Sequence, residues 1–388
     1  MEKGVEKMDC KLHGTVNSAK LLICALLCAA CAFAQEQQAD YPFDKLHGFA
    51  YYSTLGGAPT IENLIATPSD FHGYKFVYIS PVGYSGYSAF DFAGGSMLLG
   101  FDNSLILGYA RGSWGLSLDL ALNKTWYKVY DGYERYTHPG DNIGANFSVP
   151  LGNLTLYTRA NWLNKDYDAT NSYSLTCEEN INCDMQEESS VKKTSIGITG
   201  GNKLIWDAGF DFSKNKGTIV ISNEKYNFNY FSYDFTITGA NLHFDLGYKA
   251  LQNNRARFIV GLNNNLNWEF QKYKISSDFY DNTGKYSNHS LWLSIQPNIL
   301  GEVALTGHLF AFAGAWHNIA FNMLLEESYF YEMDIMLINL NTVGSRAYLG
   351  LRYERENWAV ETRLQNDVFE EIFNKKSPFI NLSGFIFF

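Results

Sequence analysis

The chain has 388 residues, a formal net charge of −10, 16% aromatic residues and 18% charged residues. Disordered chains combine few aromatic residues with high charge, so this composition excludes disorder for most of the length. The acidic balance argues against a nucleic-acid partner, because phosphate binding requires a basic face. These numbers favour a β-rich chain whose many aromatic side chains require apolar surroundings.

Residues 1–34 have the pattern of a secretory signal peptide. Basic residues precede an apolar run from Leu21 to Phe33, and the triplet at 32–34 matches the A-x-A cleavage pattern. The run is too short to cross a bilayer as a helix. We therefore expect an exported protein whose mature chain begins at Gln35.

Alternation of apolar and polar residues with a period of two dominates the chain from residue 88 onward. Between Trp114 and Asn123, for example, every second residue is apolar and the residues between them are small or polar. Successive side chains of a strand point to opposite faces, so each such segment has one apolar and one polar face. Fourteen strands are predicted, at 88–101, 104–111, 114–128, 140–150, 153–165, 192–200, 203–213, 230–250, 255–271, 287–305, 308–317, 343–354, 357–366 and 377–388.

Two of these segments leave the number of strands open between twelve and sixteen. The apolar phase reverses near Gly239, which indicates either a bulge in one long strand or a hairpin. The segment 192–200 is short and rich in glycine.

The connections between the predicted strands alternate between short and long. Gly112-Ser113 and residues 150–152 are tight, whereas 129–141 and 166–191 are long and polar. Short turns at one end and long loops at the other are typical of bacterial transmembrane barrels. The sequence therefore predicts an all-β fold, a transmembrane antiparallel β-barrel of residues 88–388, preceded by an N-terminal segment, 35–87.

The distribution of charge explains why the predicted barrel lies in a membrane. The polar faces carry charges of both signs, including Asp119, Arg159 and Arg352, while the apolar faces carry few. A Lys or Arg that faces lipid at the bilayer midplane costs about 2–4 kcal/mol, so these charges must face the interior. Aromatic residues near strand ends would form the girdles at the two membrane interfaces.

Two cysteines remain after the leader, Cys177 and Cys183, in a polar stretch. In an oxidising compartment this spacing predicts a local disulfide that closes a small loop. No histidine lies nearby, so a metal site is not expected.

The last segment alternates and ends on an aromatic residue. Leu382, Ile386 and Phe388 lie on one face of this predicted strand. The segment resembles the C-terminal assembly signal of Gram-negative outer-membrane barrels, which closes on an aromatic residue. That resemblance implies an outer-membrane location, contact with outer-membrane lipid, and recognition by the barrel assembly machinery.

The layout of the mature chain resembles the long-chain fatty-acid transporter family. Those proteins pair a fourteen-stranded barrel with an N-terminal hatch inside it. In this chain residues 56–59, Ile61 to Ile65 and Thr67 to Asp70 are similar in position to such a hatch. The resemblance implies that residues 35–87 form a plug. The family's usual Asn-Pro-Ala segment is missing here, with Thr67-Pro68-Ser69 in its place.

No arrangement of residues points to catalysis or to a cofactor. The stretch Gly83-Tyr84-Ser85-Gly86 lacks the spacing of a nucleophile elbow, and the histidines are scattered. We therefore expect a protein that is not an enzyme, without cofactor or metal.

An apolar stretch between Phe321 and Leu340 lies in a predicted outward loop. Such a stretch is costly in water unless it packs or binds something. The candidate contacts for a hydrophobic small-molecule ligand are Met323, Leu324, Leu325, Phe330 and Met333. The alternatives are that the stretch folds onto the barrel rim or extends the next strand. The predicted function is passive, porin-like uptake of a hydrophobic small molecule. A barrel that acts as a surface scaffold or as a secretion-system partner is the alternative.

Overall fold

A computed structural model describes residues 46–47, 55, 59–80, 85–101, 104–121, 126–130, 133–137, 141–169, 184–223, 228–276, 284–327, 334–364 and 380–388. The predicted signal peptide, and Cys177 and Cys183, lie outside these residues. Within the described ranges, no helix has the length and apolar character needed to cross a membrane.

Sixteen antiparallel strands form a closed barrel, in which the first strand pairs with the last. Two further strands, β6 and β7, form a separate hairpin between β5 and β8. The strands are β1 (Phe76–Ser80), β2 (Ser85–Phe92), β3 (Gly95–Phe101), β4 (Leu105–Arg111), β5 (Trp114–Ala121), β6 (Trp126–Tyr130), β7 (Tyr133–Thr137), β8 (Asn142–Leu151), β9 (Leu154–Ala169), β10 (Asp184–Gly201), β11 (Leu204–Asn223), β12 (Phe228–Gln252), β13 (Ala256–Ser276), β14 (Gly284–Ala304), β15 (Leu309–Glu327), β16 (Asp334–Glu354), β17 (Trp358–Leu364) and β18 (Ile380–Phe387).

The all-β antiparallel barrel is confirmed, and its sixteen strands differ from the predicted fourteen but lie at the upper end of the range of twelve to sixteen. Two errors account for the difference. The segment 88–101 is a hairpin, because Ala93 and Gly94 have positive φ values of 49° and 74° and turn the chain between β2 and β3. Residues 76–80, which the sequence places in the N-terminal segment 35–87, form strand β1, and the barrel therefore begins at Phe76, before residue 88.

Strand β1 has apolar residues on both faces, which conceals it in the sequence. Phe76 and Tyr78 are buried on the inside, while Ile79 is 59% exposed on the outside. A strand in a membrane barrel normally alternates apolar and polar residues. Here the inner face packs against other apolar side chains, so that signal is lost.

The phase reversal at Gly239 is neither a bulge nor a hairpin. Strand β12 is continuous through this residue, which pairs with Ser213 and Glu269 without a register shift. Residues 241, 243 and 245, which follow Gly239 in the strand, line the interior. Phe235, which precedes Gly239, packs beside the inward Gly217, so the apolar residues before Gly239 lie on the same inner face. The reversal therefore marks where the strand passes out of the apolar outer band.

The outer face of the barrel is apolar and the inner face is polar. Along one line of cross-strand partners on β10–β14, exposed apolar residues follow each other without interruption: Ile196, Phe210, Leu242, Leu266 and Leu293. Arg352 and Glu361, in contrast, are fully buried inside. In hydrocarbon a closed barrel satisfies every backbone group internally, and its lipid face must be apolar. This arrangement is that of a membrane-spanning barrel.

A short helical segment precedes the barrel. Helix α1 (Ile61–Ala66) begins after Thr60, whose side chain accepts a hydrogen bond from the Asn63 backbone N–H at 3.2 Å, and a 3-10 turn (Pro68–Phe71) follows. The apolar side chains of Ile61, Leu64 and Phe71 pack into one cluster with Leu46 and with inward residues of β1–β4, β17 and β18. This apolar cluster fixes α1 and the 3-10 turn against the inner wall.

Candidate functional site

A polar chamber of about 430 Å³ lies inside the barrel, on the inner faces of β5 and β8–β13. Its carboxylates are those of Asp119, Asp207, Asp211 and Asp245. Its basic side chains are those of Arg159, Lys193 and His243, and four asparagines complete the polar lining: Asn146, Asn161, Asn241 and Asn265. With the histidine neutral, four carboxylates and two cations give a net charge of −2 (2 − 4). Such a lining attracts cations and can hydrogen-bond neutral polar solutes.

Three side chains from different strands meet in the chamber wall. The Tyr157 hydroxyl donates to Asp207 Oδ1 at 2.7 Å and lies 2.9 Å from His243 Nε2, which is 3.2 Å from the same carboxylate oxygen. Glycines on the intervening strands make room for them. A Cβ on Gly197 would lie 2.3 Å from the Tyr157 hydroxyl, and one on Gly209 would lie 2.4 Å from the His243 ring. The close approach of these side chains to the wall therefore requires glycine at both positions.

The remaining carboxylates differ in how well they are bonded. Asp211 Oδ2 accepts from Asn241 Nδ2 at 3.0 Å and lies 3.6 Å from Lys193 Nζ. Asp245 accepts a backbone hydrogen bond from β13 at 3.2 Å. Asp119 Oδ1 is shielded and has no hydrogen-bond partner among the described residues. Nor does any group of three or more His, Cys, Asp or Glu within those ranges have the geometry to hold a metal ion.

The N-terminal segment is bonded to the inner wall at a site we call the serine seat, which comprises Ser69, Ser117, Ser148 and Gly115. The Ser69 backbone N–H donates to Ser148 Oγ at 2.7 Å, and the two serine hydroxyls are 2.8 Å apart. Ser117 Oγ donates to the Ile65 carbonyl at 2.7 Å. A Cβ on Gly115 would lie only 2.2 Å from the Ser69 nitrogen, so the segment lies directly against β5.

A second attachment, the arginine seat, comprises Arg352, Glu354, Glu361 and His47. Arg352 Nη1 donates to the Leu46 carbonyl at 2.8 Å and to Glu361, and its Nε donates to Glu354 Oε2 at 2.7 Å. His47 Nδ1 lies 2.9 Å from Glu361 Oε1. These side chains are at most 5% exposed. A buried guanidinium needs such partners, because an unpaired charge would be strongly destabilising.

The residues predicted to contact a hydrophobic ligand are not assembled into a groove by the described structure. Met323 is half-buried on β15 and pairs with Leu291, on the outer face of the barrel. Leu324 and Leu325 lie in the same strand, so the predicted loop begins as strand. Phe330 and Met333 lie outside the described residues.

The predicted assembly-signal residues lie on the outer face of β18. Leu382, Ile386 and Phe388 are 45%, 56% and 65% exposed. The polar face of the same strand includes Ser383, which is buried inside. The alternation predicted for this strand is therefore present in the structure.

Comparisons with known proteins find similarity of structure alone. No protein-family model matches the chain, and no curated protein matches it in sequence. The ferric yersiniabactin uptake receptor of Yersinia pestis is 9% identical, with a TM-score of 0.41 over 76% of this chain and 46% of the receptor. A ferric citrate transporter in its unliganded form is 8% identical, with a TM-score of 0.41 over 79% of this chain and 46% of the transporter. A copper transporter is 11% identical, with a TM-score of 0.39 over 76% and 60%.

The chain thus spans about half of the length of the first two structures and three fifths of the third. Because no family model matches, the resemblance to the long-chain fatty-acid transporter family is not shown. The sixteen strands also depart from the fourteen that the resemblance implied.

The location of the protein follows from the barrel itself. A closed antiparallel barrel with an even number of strands, an apolar outer band and a charged interior is the architecture of bacterial outer-membrane proteins. The chain is a Gram-negative outer-membrane β-barrel.

Proposed function

We propose that this barrel conducts a small polar solute across the outer membrane and that the N-terminal segment acts as a movable plug. The observation that carries the proposal is the attachment of the segment at two separated places on the inner wall. The serine seat is on β5 and β8, the arginine seat is on β16 and β17, and five strands lie between β17 and β5 along the wall. A segment held across that distance obstructs the lumen.

The polarity of the chamber supports a polar solute. The wall offers four carboxylates, four amides and the Tyr157 hydroxyl to a passing molecule. The apolar stretch at 321–340 suggested a hydrophobic solute. Such a solute would gain little from this lining and would leave the polar groups of the lining without partners. The proposed role is conduction without chemistry.

The serine seat allows the proposed movement to be blocked. Because the Ser69 and Ser148 hydroxyls are 2.8 Å apart, the double variant Ser69→Cys/Ser148→Cys is expected to form a disulfide between the segment and β8. In proteoliposomes, the oxidised double variant should show solute flux at the protein-free background. Reduction should restore the flux of the parent protein, and each single cysteine variant should match the parent in both states.

Three outcomes would overturn the proposal. Equal flux through the oxidised and the reduced double variant would show that this part of the segment does not move during conduction. Background flux of every polar and apolar solute through the parent protein would favour the surface scaffold or secretion partner instead. A flux confined to apolar solutes would return the function to hydrophobic uptake.

The exposed face of β18 supports a second, separate proposal about assembly. Leu382, Ile386 and Phe388 lie together on the outside, where the barrel assembly machinery would read them. Deleting Phe388 should lower the amount of folded protein in the outer membrane. The matched control is Ile79→Ala, at an outward residue of β1, and it should leave the amount of folded protein unchanged.

A further inference from the structure

A band of lysines lies on the outer face of β10–β14, directly beyond the apolar band. Lys192 pairs with Lys214, Lys216 is linked through Thr236 to Lys272, and Lys274 pairs with Lys285. We call these six residues the lysine belt: Lys192, Lys214, Lys216, Lys272, Lys274 and Lys285. All six side chains are exposed.

The height of the lysine belt follows from the lengths of the strands. On β11, the outward residues from Leu204 to Phe212 are apolar, and Lys214 is the next outward residue. On β13, the outward residues from Val260 to Phe270 are apolar except Asn264, whose side-chain amide donates to the Phe244 carbonyl, and Lys272 follows. A tilted strand crosses the hydrocarbon in about 9–11 residues. The belt therefore lies at the level of the lipid headgroups, on the side of the barrel that carries the long connections, which is the extracellular side.

The residues next to the belt are those of a membrane interface. Phe270 stacks on His289 with a centroid distance of 4.4 Å, and Lys272 Nζ lies 4.9 Å from the centre of the Phe270 ring. Trp162 is the direct partner of Lys192. Aromatic rings favour the headgroup level, and lysines there extend their ammonium groups away from the apolar surface.

The outer face that carries the belt also carries Glu188 and Asp234, but neither carboxylate forms an ion pair with a belt lysine. None of the six lysines forms an ion pair with a described residue, although Asp234 is the cross-strand partner of Lys274. Two like-charged pairs, Lys192 with Lys214 and Lys274 with Lys285, stand directly opposite each other on neighbouring strands. Like charges in that position destabilise a sheet. A bound anion would remove this repulsion.

We propose that the lysine belt binds the phosphate groups of an anionic lipid in the outer leaflet, with the acyl chains of that lipid along the apolar band below. In a Gram-negative outer membrane the lipid of this chemistry is the phosphorylated glycolipid, lipid A with its attached sugars. A free anion would use the ammonium groups alone. The continuous surface from Lys214 to Phe212, Phe210 and Ile196 fits a molecule that has both phosphates and acyl chains.

Binding of lipid A to the purified full chain in detergent micelles tests this proposal. The quadruple variant Lys192→Gln/Lys214→Gln/Lys216→Gln/Lys272→Gln should bind lipid A at least tenfold more weakly than the parent. The matched control removes four cations at the other end of the barrel, in Lys75→Gln/Lys203→Gln/Arg255→Gln/Arg355→Gln, and should stay within twofold of the parent. Replacing the four belt lysines by arginine keeps the charge and should retain binding.

Three results would overturn the proposal. One is equal affinity of the belt variant and the parent for lipid A, with both shown to be folded by their resistance to unfolding in detergent at room temperature. Another is equal affinity of the parent for lipid A and for its dephosphorylated form. The third is displacement of bound lipid A by inorganic phosphate at an equal concentration of phosphate groups, which would indicate a site for a free anion.

Discussion

The short strands β17, β18 and β1–β4 and the long strands β10–β13 belong to one closed sheet, but their inner faces differ. The short strands enclose a dry cluster in which Phe76, Tyr78 and Leu98 pack against the N-terminal segment. The long strands line a polar chamber whose charges include Asp211 and Lys193. We call these two parts the short-strand sector and the long-strand sector.

The difference teaches that the polarity of the inner face depends on what each part of the wall contacts. Where the wall meets another part of the chain, it is built like the core of a soluble protein, with apolar contacts and buried ion pairs such as Arg352–Glu361. Where it meets water, half-exposed ion pairs such as Lys193–Asp211 suffice. The outer face stays apolar in both sectors, because lipid covers both.

The largest expected effect distinguishes the core-like wall, where Arg352 of β16 pairs with Glu361 of β17, from the water-facing wall that carries Lys193. Arg352→Met removes a guanidinium that is 0% exposed and leaves Glu354 and Glu361 without its charge, so the free energy of unfolding should fall by about 3–5 kcal/mol. Lys193→Met removes a cation that is 52% exposed and should cost at most about 1 kcal/mol. Urea unfolding in detergent micelles, followed by tryptophan fluorescence, measures both. Equal losses would contradict the distinction between a core-like and a water-facing wall.

A second comparison uses two inward glycines on neighbouring strands. Gly115→Ala would place a Cβ 2.2 Å from the Ser69 nitrogen, so the segment must shift, at a cost of about 1–3 kcal/mol. Gly144→Ala would place its Cβ 3.3 Å from Asp119 Cβ, which a small movement relieves. We expect Gly115→Ala to raise solute flux in proteoliposomes and Gly144→Ala to leave it near that of the parent. If both variants conduct alike, the contact of the segment with β5 does not control passage.

A third prediction sharpens the account of the chamber. In Asp119→Asn/Asp245→Asn, two carboxylates face two cations and the net charge of the lining becomes 0 (2 − 2). The preference for cations over anions, measured as a reversal potential in planar bilayers, should therefore fall towards one. Asp234→Asn, on the outer face, is the matched control and should leave the ratio unchanged. A ratio unaffected by the double variant would place the conducting path elsewhere.

The sequence predicted the long-strand sector well, because its strands satisfy the rule of one apolar and one polar face. All strands from β4 onward that form the barrel overlap a predicted segment. Strands β1 and β2–β3 break that rule, since Phe76 and Tyr78 face inward against the apolar side chains of α1 and the 3-10 turn. A strand whose two faces are both apolar carries no period-two signal.

The candidate site was harder to predict for a different reason. Alternation predicts that Asp119 and Arg159 face the interior, and the chamber contains both. The meeting of Tyr157 with His243 depends on the stagger of four strands and on the glycines at 197 and 209, which the spacing within one strand does not reveal. The serine seat is equally hidden, because a serine on a polar face looks the same whether it meets water or a backbone.

The smallest expected effect concerns the turn that the sequence did not predict. Gly94, at φ 74°, and Ala93, at φ 49°, are both in the left-handed region, which costs an L residue about 1–2 kcal/mol. Gly94→Ala should therefore lower the free energy of unfolding by about 1 kcal/mol, although a Cβ there meets no atom within 4 Å. Gly307→Ala, in another turn with equal space, should change it by less than about 0.5 kcal/mol. Because the space is the same at both glycines, a difference in the loss of unfolding free energy can only come from backbone conformation. Equal losses would mean that β2 and β3 are not joined by this left-handed turn.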